Sequence, residues 1–314
     1  MRALVRRWML IAALPLAAAL VAACSDSEFA EPFVADRVIA FGDEQSLVLD
    51  DGRKYSVNDF TDGNIDCEKN PIWLQFLASN FGKPISACPG TSTTAASLSR
   101  AQAGAKVDGL RQQVDAHLAS DRLGEKDLVT MYVGLHDIVD EYTNNLATDG
   151  EAAITARLSE AGRLLGTQVN RVATAGTPVL IFTIHDLGQT PFAAAEEAAS
   201  PGRAALLTRL TTTFNTAMRL EIINDGRLIG LVDSFDLLRA MARPVNAQGI
   251  TNAVDTACLD TVTLPDCTTL TLQQANGAAI NHGAYLWADG LRFGVNAHNW
   301  LGQIAIGRAR NNPF

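Results

Sequence analysis

Four stretches of the chain are almost continuous in apolar residues and rich in β-branched side chains. They cover residues 37–41, 127–134, 177–184 and 228–233. Strands that are covered on both faces have this pattern, because neither side of such a strand meets water. Each stretch therefore predicts a buried strand of a parallel sheet.

The segments between these stretches carry apolar residues about one helical turn apart. In the first, Trp73, Leu77 and Phe81 recur at this spacing and Gly82 follows them as a helix stop. Further helices are predicted over residues 103–120, 151–176, 202–225 and 296–310. Strands that alternate with helices indicate a parallel sheet between two helical layers, with any ligand site at the carboxyl ends of the strands.

Residues 45–59 depart from this alternation. Two short alternating runs flank an Asp51-Gly52 turn, which predicts a β-hairpin. The chain has no internal repeat and no low-complexity segment, so we predict a single domain over residues 37–314.

The first 23 residues have the pattern of a secretion signal. Arg2, Arg6 and Arg7 precede an apolar run from Met9 to Leu20, which is too short for a comfortable membrane span. Residues 24–36 then form a tether, and we expect no transmembrane helix in the mature protein.

The signal ends in "LVAAC", which resembles the lipobox of bacterial lipoproteins. The resemblance implies that Cys24 is acylated and becomes the mature N-terminus. Ser25 follows, and Asp26 lies one place beyond the usual inner-membrane retention signal, so an outer-membrane anchor is expected, facing the periplasm or the exterior. The alternative is ordinary signal cleavage that leaves a free cysteine.

Composition agrees with a secreted globular body. The chain has 314 residues, of which 47% are hydrophobic and 19% charged. Without the signal, 22 basic residues (25 − 3) face 34 acidic ones, which gives a net charge of about −12. Such a charge repels nucleic acid and anionic membrane surfaces, so we expect no nucleic-acid partner, and the sequence gives no evidence of direct membrane docking beyond Cys24.

Four further cysteines predict two disulfides in an oxidising compartment. No pair has the CxxC spacing and the five histidines are scattered, so neither a metal nor another cofactor is expected. Three pairings exist, and we favour Cys67–Cys88 with Cys258–Cys267. Each would close a short loop around a polar segment and contribute about 3 kcal/mol in the chain-entropy model.

Five short blocks occur in the order and spacing of the SGNH hydrolases, also called GDSL lipases and esterases. The blocks are "FGDEQS" (41–46), "AQAGA" (101–105), "VGLHD" (133–137), "HDLGQTP" (185–191) and "WADGLRF" (287–293). The resemblance covers about residues 37–305. It implies a three-layer α/β/α sandwich around a mainly parallel five-stranded sheet of the flavodoxin-like type.

The resemblance also implies where the catalytic groups should lie. In that family the first block supplies a serine nucleophile, the second and third supply a glycine N–H and an asparagine for the oxyanion hole, and the last supplies an Asp-x-x-His pair. The matching positions hold Glu44, Gly104 (or Ala103, if the block slides by one), His136, and Asp289 with Arg292. Arginine cannot accept a proton, so these residues exclude the ordinary mechanism.

Serine and histidine touch each other in that family, so their replacements should be neighbours. We predict an ion pair between Glu44 and Arg292, with Asp289 sharing the guanidinium. Alternatively, Glu44 is a solvated turn residue that caps the following segment. His136 could likewise be exposed at a helix start where Asp137 makes the structural contact, and we interpret His298 as a packing residue and not a displaced base.

Three functions follow from these residues. The first is an outer-membrane lipoprotein whose inactive site binds an acyl or carbohydrate ligand. The second is an active ester hydrolase of lipids or acetylated sugars that uses a rearranged serine, such as Ser46. The third is a metal site of Glu44, His136 and Asp289, which the charge of Arg292 would disfavour.

Overall fold

The computed structural model describes residues 32–243 and 249–311. Residues Phe33–Phe314 make up one unit, and Met1–Pro32 fall outside it. The predicted signal peptide, Cys24 and the tether up to residue 31 lie outside the described residues. In the part of the chain that is described, no helix is both long and apolar enough to cross a membrane.

Five parallel strands form the central sheet. In the described ranges the strands are β1 (Arg37–Gly42), β2 (Asp59–Thr61), β3 (Asn64–Asp66), β4 (Leu98–Ser99), β5 (Asp127–Tyr132), β6 (Val179–Phe182), β7 (Ile229–Val232), β8 (Asn252–Thr256), β9 (Gln274–Ala275), β10 (Ala278–Ala279) and β11 (Tyr285–Trp287). The sheet order is β4-β1-β5-β6-β7. Numbered along the chain within the sheet, this is 2-1-3-4-5, which confirms the predicted flavodoxin-like arrangement.

Helices cover both faces of this sheet. They are α1 (Trp73–Asn80), α2 (Val107–Ser120), α3 (Leu135–Asp140), α4 (Leu146–Ala173), α5 (Pro191–Ala199), α6 (Arg203–Glu221), α7 (Ser234–Met241) and α8 (Val295–Arg310). Helix α4 packs closely on α6, and α1 packs on α8. The long apolar strands are buried except at Arg37 and Leu231, which are partly buried, as their continuous hydrophobic runs predicted.

Two parts of the sheet differ from the sequence expectation. Strand β4 has only two residues, too few for a hydrophobic pattern to mark it. The predicted hairpin over residues 45–59 is wrong in extent, since only Val48 and Lys54 form a β-bridge there. The Asn58 side chain accepts from the Lys54 N–H at 2.8 Å and donates to its carbonyl at 3.0 Å. The Leu49 N–H donates to the Arg53 carbonyl at 2.9 Å and closes a short turn there, and the longer hairpin forms farther on, between β2 and β3.

Both favoured disulfide pairings are confirmed. Cys67 is bonded to Cys88 and Cys258 to Cys267. The second disulfide packs in a small apolar cluster with Leu272 and with Ala288, the neighbour of Asp289. It therefore holds the segment that returns Asp289 and Arg292 to the sheet.

Two glycines bring loops close together at the carboxyl ends of β1 and β5. Gly42 has φ +147°, and a Cβ there would lie 2.0 Å from the carbonyl oxygen of Tyr132. Gly134 has φ +130°, and its Cβ would lie 2.5 Å from the ring of Phe214. Only glycine fits both the backbone conformation and the space.

Candidate functional site

Glu44 opens a short helical turn directly after β1. Asp43 caps this turn, because its Oδ1 accepts from the Gln45 N–H at 3.0 Å. The cap directs the next side chain inward, and the Glu44 side chain is 0% exposed. The interpretation of Glu44 as a solvated turn residue is therefore wrong.

The Glu44 carboxylate is held by three other segments of the chain. Arg292 donates from Nε to Oε1 at 2.7 Å, and the Gly104 N–H donates to Oε2 at 2.9 Å. His136 Nε2 lies 2.8 Å from Oε1 and 2.9 Å from Oε2. A buried carboxylate needs such a set of donors to remain charged.

Asp289 positions the arginine. Its Oδ1 accepts from the Leu291 and Arg292 N–H groups at 2.9 and 2.7 Å, which fixes the turn. Its Oδ2 accepts from the guanidinium at 2.8 Å. The predicted Glu44–Arg292 ion pair, with Asp289 sharing the guanidinium, is confirmed.

The same contacts determine the charge states. Burial alone would raise the pKa of Glu44, but the hydrogen bond from His136 and the charge of Arg292 outweigh it and lower the pKa to about 2. Burial opposes the charge of Arg292, yet Asp289 and Glu44 raise its pKa. Asp43 is fully buried beside Glu44, and both burial and that negative charge raise its pKa well above the usual range. The site is thus a buried ion pair of Glu44 and Arg292, which Asp289 shares, beside the buried carboxyl group of Asp43.

His136 belongs to the site and its neighbour is structural. The His136 side chain is 18% exposed and points at Glu44. The Asp137 carboxylate accepts from the Val107 N–H at 3.1 Å, at the start of α2. The predicted structural contact of Asp137 is present, but it does not leave His136 free. The N–H that reaches Glu44 belongs to Gly104 and not to Ala103.

The remaining candidate groups do not assemble a second catalytic centre. Ser46 is fully buried, and its hydroxyl has no hydrogen-bond partner within the described residues. His298 is buried edge-on against Phe293, as expected of a packing residue. His185 contacts the Tyr132 hydroxyl at 3.4 Å and the Leu291 carbonyl at 3.1 Å, and burial lowers its pKa to about 4.

Metal binding is not favoured at this place. Across residues 32–243 and 249–311, no three His, Cys, Asp or Glu side chains form a group suited to a metal ion. The guanidinium of Arg292 bonds to both Glu44 and Asp289 and takes the place a cation would need.

A groove beside Arg292 was not visible in the sequence. It has a volume of about 760 Å³ and lies next to Asp289 and Arg292. Its walls come from α5, with Phe192, and from the disulfide-closed segment, with Leu259 and Leu264. Apolar residues in irregular segments carry no periodic signal, so only the closed loop between Cys258 and Cys267 hinted at a formed wall.

The pKa of His136 gives a direct test of this geometry. Burial lowers the pKa of the imidazole, but the hydrogen bond and charge of Glu44 raise it above the ordinary 6.5. We expect the His136 NMR signal to titrate above 6.5 in the native protein and below it in Glu44→Gln, where burial remains and the charge is gone. His282, whose pKa burial lowers, serves as the internal control.

The raised pKa of His136 determines how its contribution to stability changes with pH. A raised folded-state pKa means that the contribution of His136 to folding is complete below pH 6.5 and is lost as the pH rises through the raised value. Denaturation of native protein and His136→Gln at several pH values should show their difference in stability shrinking above that pH. A difference that grows with pH would contradict the assignment.

Comparison with known proteins gives similarity at the level of the fold. No protein-family model matches the chain, and no curated protein matches it. Among solved structures, it is similar to a lipolytic protein of the G-D-S-L family from Veillonella parvula DSM 2008, at 10% identity over 86% of this chain and 96% of that chain, with a TM-score of 0.41. It is also similar to Axe2, an acetylxylan esterase from Geobacillus stearothermophilus, at 10% identity over 89% and 96%, with a TM-score of 0.46. Neither likeness indicates an activity for this chain.

Proposed function

We propose that this protein is a non-catalytic binding module with an SGNH-type fold, held at the outer membrane by a lipid on Cys24. One observation carries the proposal. The Glu44 carboxylate lies where the resemblance expects the nucleophile, and it accepts hydrogen bonds from the two groups, Gly104 and His136, that match the oxyanion hole. The protein's own side chain thus occupies the place of a substrate oxygen.

The chemistry of these groups supports the absence of turnover. An ester carbonyl is activated only when it receives the oxyanion-hole donors itself. Here Glu44 holds those donors and is fixed by Arg292 as well. Arg292 cannot remove a proton from water or from a hydroxyl. Glu44 is engaged by Arg292, Gly104 and His136, so the serine and histidine pair of the ordinary mechanism has no counterpart at this position.

The groove next to Arg292 is the proposed ligand site. Phe192, Leu259 and Leu264 offer apolar surface, while Thr256 and Asp260 offer hydrogen-bonding groups. A second hollow of about 540 Å³ shares Thr256 and Asp260 with the groove, so the two adjoin. Its size and mixed lining suit an acyl chain or a short carbohydrate. No cofactor is part of the proposal.

Lipid attachment is a separate component of the proposal. The signal of residues 1–23 and the cysteine that ends it support acylation of Cys24. The mass of the mature protein extracted from the outer membrane should exceed that of the chain from Cys24 by the attached acyl groups. A mature chain without this added mass, or one that remains in the inner membrane, would remove this component.

Activity measurements on the purified mature protein test the proposed lack of catalysis. With 4-nitrophenyl acetate and 4-nitrophenyl palmitate, we expect the rate in buffer alone, and no change in Ser46→Ala. Turnover well above buffer that is lost in Ser46→Ala would instead establish the ester-hydrolase alternative. The buried position of the Ser46 hydroxyl is the reason for expecting no such loss.

A further inference from the structure

The amino ends of the sheet strands form a surface that we call the entry face, because the described chain enters β1 there. Phe33 packs edge-on against Phe81, with ring centroids 6.2 Å apart. The Asp36 N–H donates to the Lys126 carbonyl at 2.8 Å, beside the start of β5. Glu44 lies at the carboxyl end of β1, so the site and the entry face are at opposite edges of the sheet.

Charge at the entry face differs from that of the whole chain. Five cationic side chains there have no carboxylate partner within the described residues, namely Lys83, Arg122, Lys126, Arg308 and Arg310. Three carboxylates at this face are likewise outside any ion pair: Asp36, Glu125 and Glu221. Arg37 also lies at this face and pairs with two carboxylates, Asp121 and Asp127, so the balance is +1 (5 − 3 − 1), against about −12 for the mature chain. The entry face is therefore a locally basic surface on an acidic protein.

Backbone contacts place these cations together at the strand starts. The Lys83 carbonyl accepts from Ser97, whose hydroxyl oxygen accepts from the Val38 N–H in β1. The Arg122 carbonyl accepts from Arg37, the first residue of β1. For the last helix, the Arg310 guanidinium lies 5.7 Å from the Phe81 ring, and Arg308 lines a hollow with Ile229, the first residue of β7.

Apolar side chains are exposed on the same face. Val34 is 65% exposed, Leu118 41%, Leu220 81% and Ile223 39%. Large apolar side chains among cations are typical of surfaces that contact the interfacial region of a bilayer, where apolar groups meet acyl chains and cations meet phosphates. The net negative charge of the mature chain repels an anionic bilayer. The exposed apolar side chains and unpaired cations of the entry face are therefore the feature that favours membrane contact.

We infer that the entry face contacts the lipid headgroups of the membrane, with its cations on phospholipid phosphates, and that the Glu44 edge with its groove faces away. The inference rests on the proposed acylation of Cys24. Cys24 precedes Phe33 by nine residues, a length that spans at most about 30 Å when fully extended. A lipid at Cys24 therefore keeps this end of the domain near the bilayer.

Fluorescence quenching by a headgroup-labelled lipid tests the orientation. The lipidated mature protein is placed in vesicles of phosphatidylethanolamine and phosphatidylglycerol that contain a nitroxide-headgroup lipid. One sample carries a fluorophore at Leu118→Cys on the entry face, and another at Thr263→Cys in the groove wall. We expect strong quenching at position 118 and little at 263, with the quenching at 118 weakened by salt. Equal quenching at both positions, or stronger quenching at 263, would overturn the inference.

Charge reversal tests the role of the cations. Arg122→Glu with Lys126→Glu should reduce quenching at position 118 by about half or more, because each lost cation weakens attraction to anionic lipid. The matched pair Arg100→Glu with Arg203→Glu, which lies off this face, should leave it unchanged. Equal loss in both pairs would show that only net charge matters and would contradict the inference.

The acidic tether and the lipid anchor each need a control of their own. If the position-118 label is quenched only after Asp26→Asn, Glu28→Gln and Glu31→Gln, then the acidic tether covers the entry face and the inference is wrong. Mass spectrometry of the same sample measures acylation. If the protein is acylated but position 118 is not quenched, only the inferred orientation is wrong. If the protein is not acylated, the proposed lipid anchor on Cys24 is wrong.

Discussion

Arg292→Met is expected to destabilise the protein by about 3–5 kcal/mol, because it leaves the buried Glu44 carboxylate without its cation. The Arg292 side chain is only 19% exposed, so solvent replaces little of the lost interaction. Asp289 would lose its side-chain partner as well. Urea denaturation of native and variant protein at neutral pH measures the free energy of unfolding.

A double-mutant cycle distinguishes loss of the ion pair from loss of packing. Adding Glu44→Gln to Arg292→Met removes the unpaired charge, so most of the lost stability should return. Arg163→Met, which breaks the exposed Arg163–Glu160 pair, should leave the free energy of unfolding nearly unchanged. If Glu44→Gln fails to rescue Arg292→Met, the electrostatic explanation is wrong.

Glu44→Ser combined with Arg292→His is expected to create ester hydrolysis at least about 100-fold above the native rate, which is the lower range for a positioned base. The serine would lie next to the freed Gly104 N–H, and Asp289 already occupies the position that orients a histidine. The measurement is turnover of 4-nitrophenyl acetate.

Matched variants assign any gain to the restored pair. Glu44→Ser alone should remain near the native rate, because Arg292 cannot act as the base. Adding His136→Asn to the double variant should raise the rate further if position 136 serves the oxyanion hole. A folded double variant, judged by circular dichroism, that shows no gain would indicate that the rest of the site cannot support catalysis.

The central fold could be predicted from the sequence because its signal is long and local. The runs that became β1, β5, β6 and β7 are apolar on both faces, and the helices between them have clear periodicity. Strand β4 could not be predicted, because two residues are too few to show a hydrophobic pattern. The predicted hairpin is limited to the bridge between Val48 and Lys54, and beyond it the Asn58 side chain bonds back to the Lys54 backbone.

The site could be predicted only where two matched positions are known to touch in the family that the sequence resembles. Matching Glu44 and Arg292 to a touching pair was sufficient to predict their ion pair. The hydrogen bonds from Gly104 and His136 to the Glu44 carboxylate could not be predicted, because they depend on how loops after different strands approach one another. The groove and the basic entry face are likewise products of the tertiary fold, since their residues are distant in the sequence.

Labelling by a fluorophosphonate, which reacts with activated serines, tests most directly whether Glu44 has replaced the nucleophile. Native protein, with Glu44 bound to Arg292 and Ser46 buried, should show no labelled serine after peptide mass mapping. The Glu44→Ser, Arg292→His variant should be labelled at position 44 and nowhere else. Stoichiometric labelling of Ser46, or of any other serine in the native protein, would contradict the loss of the nucleophile.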